Sequence, residues 1–142
     1  MPARRFYIAG TVSWLLTGIA HLLGQFATGR GDLTMRTVTA LMRGTTVDKA
    51  SGLDLYEVLE CWGLYYGLMN LLMALLNVAV LRSIGRQAGG LRTMAGANAL
   101  AGLVLLAASA FYRFPPPIIC NALITTCFTL AWWSGRVPDP VP

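Results

Sequence analysis

The sequence predicts an all-α integral membrane protein built as a four-helix bundle, and three observations predict it. Four apolar runs fill most of the 142 residues. Charged residues make up 12% of the chain, against about 25% in soluble domains, and hydrophobic residues reach 56%. Each run also carries one narrow polar or small-residue stripe, as expected of a helix with lipid on one side and neighbouring helices on the other. A spanning helix takes roughly 20 residues, so four of them with their connections use the chain up as a single membrane domain over residues 1–142. The net charge of +5 does not indicate a nucleic-acid partner, because the arginines fall at run ends and in connections, where membrane topology accounts for them.

The first run extends from about Phe6 to Phe26. It is too long for a signal-peptide core and lacks a clear small-residue cleavage site, so it is expected to be retained. The long connection that follows contains Leu33–Arg43, in which Leu33, Met35, Val38, Leu41 and Met42 take one side and Arg36 and Arg43 the other. That pattern suits a short helix in the membrane interface. The second run spans about Leu55 to Leu81, long enough to tilt or protrude, with Asp54 as its N-cap. The third covers about Leu91 to Tyr112. The fourth, Pro116 to Trp133, is the shortest, and it begins at Pro115, Pro116 and Pro117. A first helical turn tolerates proline because its missing N–H has no intrahelical partner there.

Basic residues set the orientation. Arg4 and Arg5 precede the first run, and Arg82, Arg86 and Arg92 flank an acid-free loop between the second and third. Both groups belong on the cytoplasmic side, which makes the chain a multi-pass protein of the cell inner membrane with both termini inside. The first connection carries Arg30, Arg36, Arg43 and Lys49 against Asp32, Asp48 and Asp54, and acids count for little in this rule.

Projection on helical wheels defines the stripes. Tyr7, Gly10, Trp14, Thr17, Gly18, His21 and Gln25 share one side of the first run, opposite Ile8, Val12, Leu15, Leu16, Ile19, Leu22, Leu23 and Phe26. The second run aligns Tyr56, Glu60, Gly63, Gly67, Asn70, Ala74 and Asn77. The third aligns Asn98, Gly102 and Ser109, with Ala95 and Arg113 nearby, and the fourth aligns Asn121, Thr125, Phe128 and Trp132. Small residues allow close approach and amides bridge helices, so each stripe should face the interior. With this topology His21, Gln25, Tyr56, Glu57, Glu60, Ser109, Arg113 and Asn121 fall near the outer third, and Asn77 and Asn98 lie towards the cytoplasm.

Ionisable groups at membrane depth are costly and are functional candidates by default. In one reading His21, Glu57, Glu60 and Arg113 are catalytic: a desolvated Glu60 exchanges a proton, His21 is its partner and Arg113 holds an anionic group. Trp14, Gln25, Tyr56, Asn70 and Asn121 would then line the ligand site. In another, His21, Glu57, Glu60 and Cys61 ligate a metal or haem, but the chain has one histidine and such sites usually need more. A pigment on His21 has only an apolar helix to recommend it. The remaining reading is structural, with Glu57 or Glu60 pairing Arg113 and His21 bonding an amide. No cofactor and no metal is expected. The three cysteines, Cys61, Cys120 and Cys127, form no C-x-x-C and behave as small apolar residues. The chain holds no phosphate-loop, dinucleotide, H-E-x-x-H or G-x-S-x-G motif.

The stretches GIAHLLGQF, DLYEVLECWGLYYGLMNLL and FYRFPPPIICNAL resemble a family of small bacterial four-helix inner-membrane proteins with no assigned activity. A histidine in helix one, an aromatic–glycine pattern in helix two and a phenylalanine–proline turn carry the likeness. It implies the four-helix fold and no residue role. The plan is also similar in outline to sterol-synthesis scaffolds and sterol-isomerase-like bundles, whose motifs are missing.

The expected function is that of an accessory or scaffold subunit of a larger membrane complex, with the lipid bilayer and other membrane subunits or a second copy as partners. The alternative is an intramembrane enzyme or binder, isomerase- or cyclase-like, acting on a lipophilic small molecule by acid–base chemistry at the outer polar cluster. The topology is directly testable. A membrane-impermeant thiol reagent applied from outside should label a cysteine placed at Thr46 and miss one at Gln87; the reverse pattern would invert the orientation.

Overall fold

The computed structural model describes residues 2–27, 33–84, 88–113 and 115–135. Arg30, Asp32, Arg86, Gln87 and Phe114, which enter the charge, topology and motif arguments, lie outside them. The elements in chain order are α1 (Pro2–Ala27), α2 (Leu33–Arg43), β1 (Thr46–Asp48), β2 (Leu53–Asp54), α3 (Leu55–Ser83), α4 (Ala88–Phe111) and α5 (Pro115–Ser134). The described residues are nearly all helical. Four of the helices are long and apolar enough to cross a membrane: Pro2–Phe26, Leu55–Ser83, Gly89–Phe111 and Pro115–Ser134. These are the four apolar runs, each extended by a few residues. Leu33–Arg43 is helical as expected, and Asp54 caps α3.

The chain divides into two compact units, Met1–Leu16 with Leu72–Pro142, and Thr17–Leu71. The core of the first unit comprises Tyr7, Trp14, Ala74, Leu91, Ala95, Ile124, Phe128 and Ala131. Tyr7 and Phe128 meet edge to face, with ring centroids 5.2 Å apart, the geometry favoured by opposed ring quadrupoles. Gly10 makes room for this contact. A Cβ added there would lie 2.7 Å from the Phe128 ring. Along α4 and α5, Gly102 lies against Ile124 and Thr125, and Arg92 places its guanidinium 6.0 Å from the Trp132 ring centre.

Hydroxyl and amide side chains on these helices turn back to their own backbone. Thr11 Oγ1 donates to the Tyr7 carbonyl (2.9 Å), Ser13 Oγ to Ala9 (2.9 Å) and Thr125 Oγ1 to Asn121 (2.7 Å). For such a side chain a carbonyl four residues back is the nearest acceptor. The helix ends follow the sequence. Arg113 takes φ 52° just past α4 and its N–H donates to the Ala110 carbonyl (3.0 Å), a left-handed terminus followed by prolines that cannot prolong the turn.

In the second unit, a small hairpin was not foreseen between α2 and α3. Thr46 pairs with Asp54 and Asp48 with Leu53. Gly52 supplies the positive φ of 72° that the turn needs. The Asp48 carboxylate accepts from the amides of Ala50 (3.1 Å) and Ser51 (3.2 Å) and from the Ser51 hydroxyl. Those three donors, the hydroxyl first, hold its pKa below the ordinary carboxylate value. The sequence signal was the β-branched pair Thr46-Val47, followed by an aspartate and a glycine at turn spacing.

The glycine contacts give a paired prediction. Gly10→Ala should lower stability by about 1–3 kcal/mol, because the new methyl meets the packed Phe128 ring. Gly24→Ala, with nothing within 4 Å of the added carbon, should raise it by roughly 0.5–1 kcal/mol through helix propensity. Denaturation midpoints in detergent decide it, and equal effects at the two positions would reject this packing.

Candidate functional site

The stripes read from the sequence largely coincide with the buried faces. Tyr7, Gly10, Trp14, Thr17, Gly18, Gly63, Gly67, Asn70, Ala74, Asn77, Ala95, Asn98, Gly102, Asn121 and Phe128 are all buried. Three members of the expected cluster depart from this, Glu57 being exposed as well as the two that follow. Glu60 is exposed rather than interior, and Arg113 is exposed at the end of α4. At 100° per residue, Glu60 sits about 60° from the centre of the face formed by Gly63, Gly67, Asn70, Ala74 and Asn77, which places it at the edge of the stripe. It also lies in the second turn of a 29-residue helix. Such a helix is about 43 Å long, more than the roughly 30 Å that crossing a hydrocarbon core requires. A smaller departure is Leu22, assigned to the lipid side but half-buried, with its side chain against Gly67.

The other candidates have partners of their own. Glu57 completes a reciprocal cap: the Glu57 amide donates to Asp54 Oδ1 (2.7 Å) and the Asp54 amide to Glu57 Oε2 (3.1 Å), which satisfies amides at the start of α3. Tyr56 lies under the Arg43 guanidinium, 4.7 Å from its ring centre. Gln25 occupies the space above Gly63, where a Cβ would overlap its amide. Asn121 donates to Ser109 Oγ (3.0 Å), whose own proton goes to the Leu105 carbonyl (2.8 Å). Trp14 donates from Nε1 to Asn98 Oδ1 (3.2 Å).

This last bond belongs to the best-formed polar arrangement among the described residues. Asn77 and Asn98 face each other across α3 and α4 and exchange both amide bonds, each 2.9 Å. Each Nδ2 also donates to its own helix, at the Met73 and Met94 carbonyls (2.9 Å both). Tyr7 donates its hydroxyl to Asn77 Oδ1, and Trp14 fills the second lone pair on Asn98 Oδ1. Both amides thus make all four of their hydrogen bonds, and the two asparagines are only 1% and 2% exposed.

No known protein family, curated protein or solved structure matches the chain. The likeness to small four-helix inner-membrane proteins therefore assigns no role to any residue, and the site must be judged on its own geometry.

That geometry separates two kinds of polar contact. The Asn77–Asn98 network is saturated, dry and aromatic-capped, which suits holding helices in one register. His21 is different. Its ring packs edge-on against Tyr66, with centroids 4.9 Å apart. Yet His21 Nε2 and the Tyr66 hydroxyl are both buried without a hydrogen-bond partner among the described residues. Sequence reasoning singled out His21 and overlooked Tyr66, which stands at the edge of the α3 stripe. It also placed Asn77 and Asn98 on interior faces without pairing them, although Tyr7, Trp14, Asn77 and Asn98 on three inward stripes were signal enough. Among the described residues no group of three or more His, Cys, Asp or Glu side chains comes together as a metal site would require.

The network yields a quantitative expectation. Asn77→Leu and Asn98→Leu should each destabilise by about 1–3 kcal/mol, because each strands the other amide and an aromatic donor. The double variant should cost less than the sum of the two, by about 1 kcal/mol. A double-mutant cycle measured by detergent unfolding tests this, and strict additivity would show that the two amides do not interact.

Proposed function

We propose that the chain is a membrane-embedded four-helix bundle with both termini cytoplasmic, and that it serves as an accessory or scaffold subunit of a larger membrane complex. The observation that carries this reading is the saturated Asn77–Asn98–Tyr7–Trp14 network. A buried polar group reserved for chemistry keeps a donor or acceptor available; here the two amides hold one another. Leu16, Leu23, Leu68, Leu75, Leu100, Leu103 and Val104 are exposed, and such side chains suit lipid or the helices of a partner equally well.

The remaining elements fit a bundle set in a bilayer. Every residue of α2 is exposed or half-buried, with Leu33, Val38 and Leu41 exposed on a strongly amphipathic helix of 11 residues. A helix this short is marginal in water, and an interface that takes its apolar side while leaving Arg36 and Arg43 wet stabilises it. The hairpin tethers it to the start of α3 through the Leu55 amide and the Thr45 carbonyl (2.9 Å). The acid–base alternative placed Glu60 on the interior face, whereas Glu60 is exposed at the surface of the chain.

Affinity capture of the full-length chain from membranes in mild detergent tests the proposal. The expected result is stoichiometric co-purification of another membrane protein that resists moderate salt. A monodisperse, lone monomer would overturn it, as would turnover of a lipophilic substrate by that monomer.

A further inference from the structure

In the Thr17–Leu71 unit the contact between α1 and α3 is made as close as glycine allows. A Cβ on Gly18 would lie 3.0 Å from the Gly67 carbonyl oxygen, and one on Gly67 would lie 2.6 Å from Leu22. His21 is one turn beyond Gly18, and Tyr66 immediately precedes Gly67, so their edge-on contact lies at this crossing. Three of the four buried polar side-chain atoms without a partner among the described residues fall in this unit: His21 Nε2, the Tyr66 hydroxyl and Asn70 Oδ1. Asn70 is one turn along α3, 2% exposed, with its Nδ2 already committed to the Tyr66 carbonyl (2.7 Å). An orphaned group carries an uncompensated desolvation cost when nothing bonds it. Three in one helix contact are hard to reconcile with a purely structural role, when Asn77 and Asn98 elsewhere in the chain make all four of their hydrogen bonds.

We propose that His21 and Tyr66 form a binding site for the carbonyl or hydroxyl oxygen of a lipophilic molecule. The chemistry selects oxygen. A phenol donates to an oxygen lone pair, and a neutral imidazole nitrogen either donates to the same atom or accepts from a hydroxyl on it. The surroundings suit an apolar body attached to that oxygen, since the side chains packed at this crossing are Leu22 and Leu71. An exposed apolar surface lies on the same stretch of α3. Cys61, Trp62 and Tyr65, on the turn of α3 that leads to Tyr66, line an open cleft of about 170 Å³. The site stands whether or not the chain has a partner subunit, and it uses no charged group.

The chain's single histidine makes the test clean. The full-length protein, labelled with ¹⁵N-histidine and held in mild detergent, is titrated with menadione as carbonyl probe, farnesol as hydroxyl probe and hexadecane as hydrocarbon control. A saturable shift of the imidazole nitrogens is expected with at least one oxygen-bearing probe and not with hexadecane. Tyr66→Phe removes only the hydroxyl and should keep the fold, confirmed by an unchanged unfolding midpoint or a higher one. It should weaken the responding probe roughly five- to tenfold. A response to one probe alone supports the site and names its preferred oxygen. The proposal is overturned if neither probe saturates, if hexadecane gives the same shift, or if Tyr66→Phe binds as tightly as the unaltered chain.

Discussion

The reciprocal amide pair of Asn77 and Asn98 is the constraint around which the larger unit is built. A carboxamide taken out of water without partners costs several kcal/mol, about 2–7 depending on the reference. Neither asparagine is tolerable alone on an apolar helix. Facing each other, and with their remaining valences closed by two backbone carbonyls, Tyr7 and Trp14, they become a directional lock in a setting where apolar contact alone has little direction. A slip of one residue in any of α1, α3 or α4 would rotate its donor or acceptor by 100° and strand the rest. The aromatic members do double duty, since Tyr7 also supplies the ring edge or face that Phe128 packs on, which brings α5 into the same register.

Much of this arrangement was legible in the sequence because the physics that writes it is periodic. Apolar runs of spanning length announce helices, and the 3.6-residue repeat separates the sides: Leu15, Leu16 and Ile19 face out, and Trp14, Thr17 and Gly18 face in. Periodicity reports direction and says nothing of pairing. It put Asn77 and Asn98 on inward faces without revealing that they meet, because that depends on how far each helix is shifted along its axis. It failed for the hairpin at Thr46–Asp54, where turn geometry at Asp48 and Gly52 decides the fold. It failed at Glu60 because a stripe drawn through a whole helix ignores its ends. A wheel gives the side of a helix and carries no information on where along its length the neighbouring helices end.

Glu57 shows how an apparent functional residue can have a local explanation. An acid three residues after an aspartate, at the start of a long apolar helix, looks like a stray charge at membrane depth. The Asp54–Glu57 exchange gives it a task that any helix beginning shares, satisfying amides with no intrahelical acceptor. The negative charge also sits at the favourable end of the α3 dipole. With Glu57 engaged and Glu60 exposed, the acidic pair belongs to the margin of the helix and not to its interior.

His21 resists that kind of explanation, and the comparison within the molecule is what gives it weight. The same chain that returns Thr11, Ser13, Thr125, Asn77 and Asn98 to carbonyls four residues back leaves an imidazole nitrogen and a phenol buried side by side with no hydrogen-bond partner among the described residues. The pair stands at a glycine-lined crossing, where Leu71 packs on Gly18 and Leu22 on Gly67. Either polar atom could have been deleted by a single change, histidine to leucine or tyrosine to phenylalanine, with the packing kept and the desolvation relieved. Keeping both carries a standing energetic penalty, and the simplest compensation is a group that arrives from outside the chain with an oxygen to share.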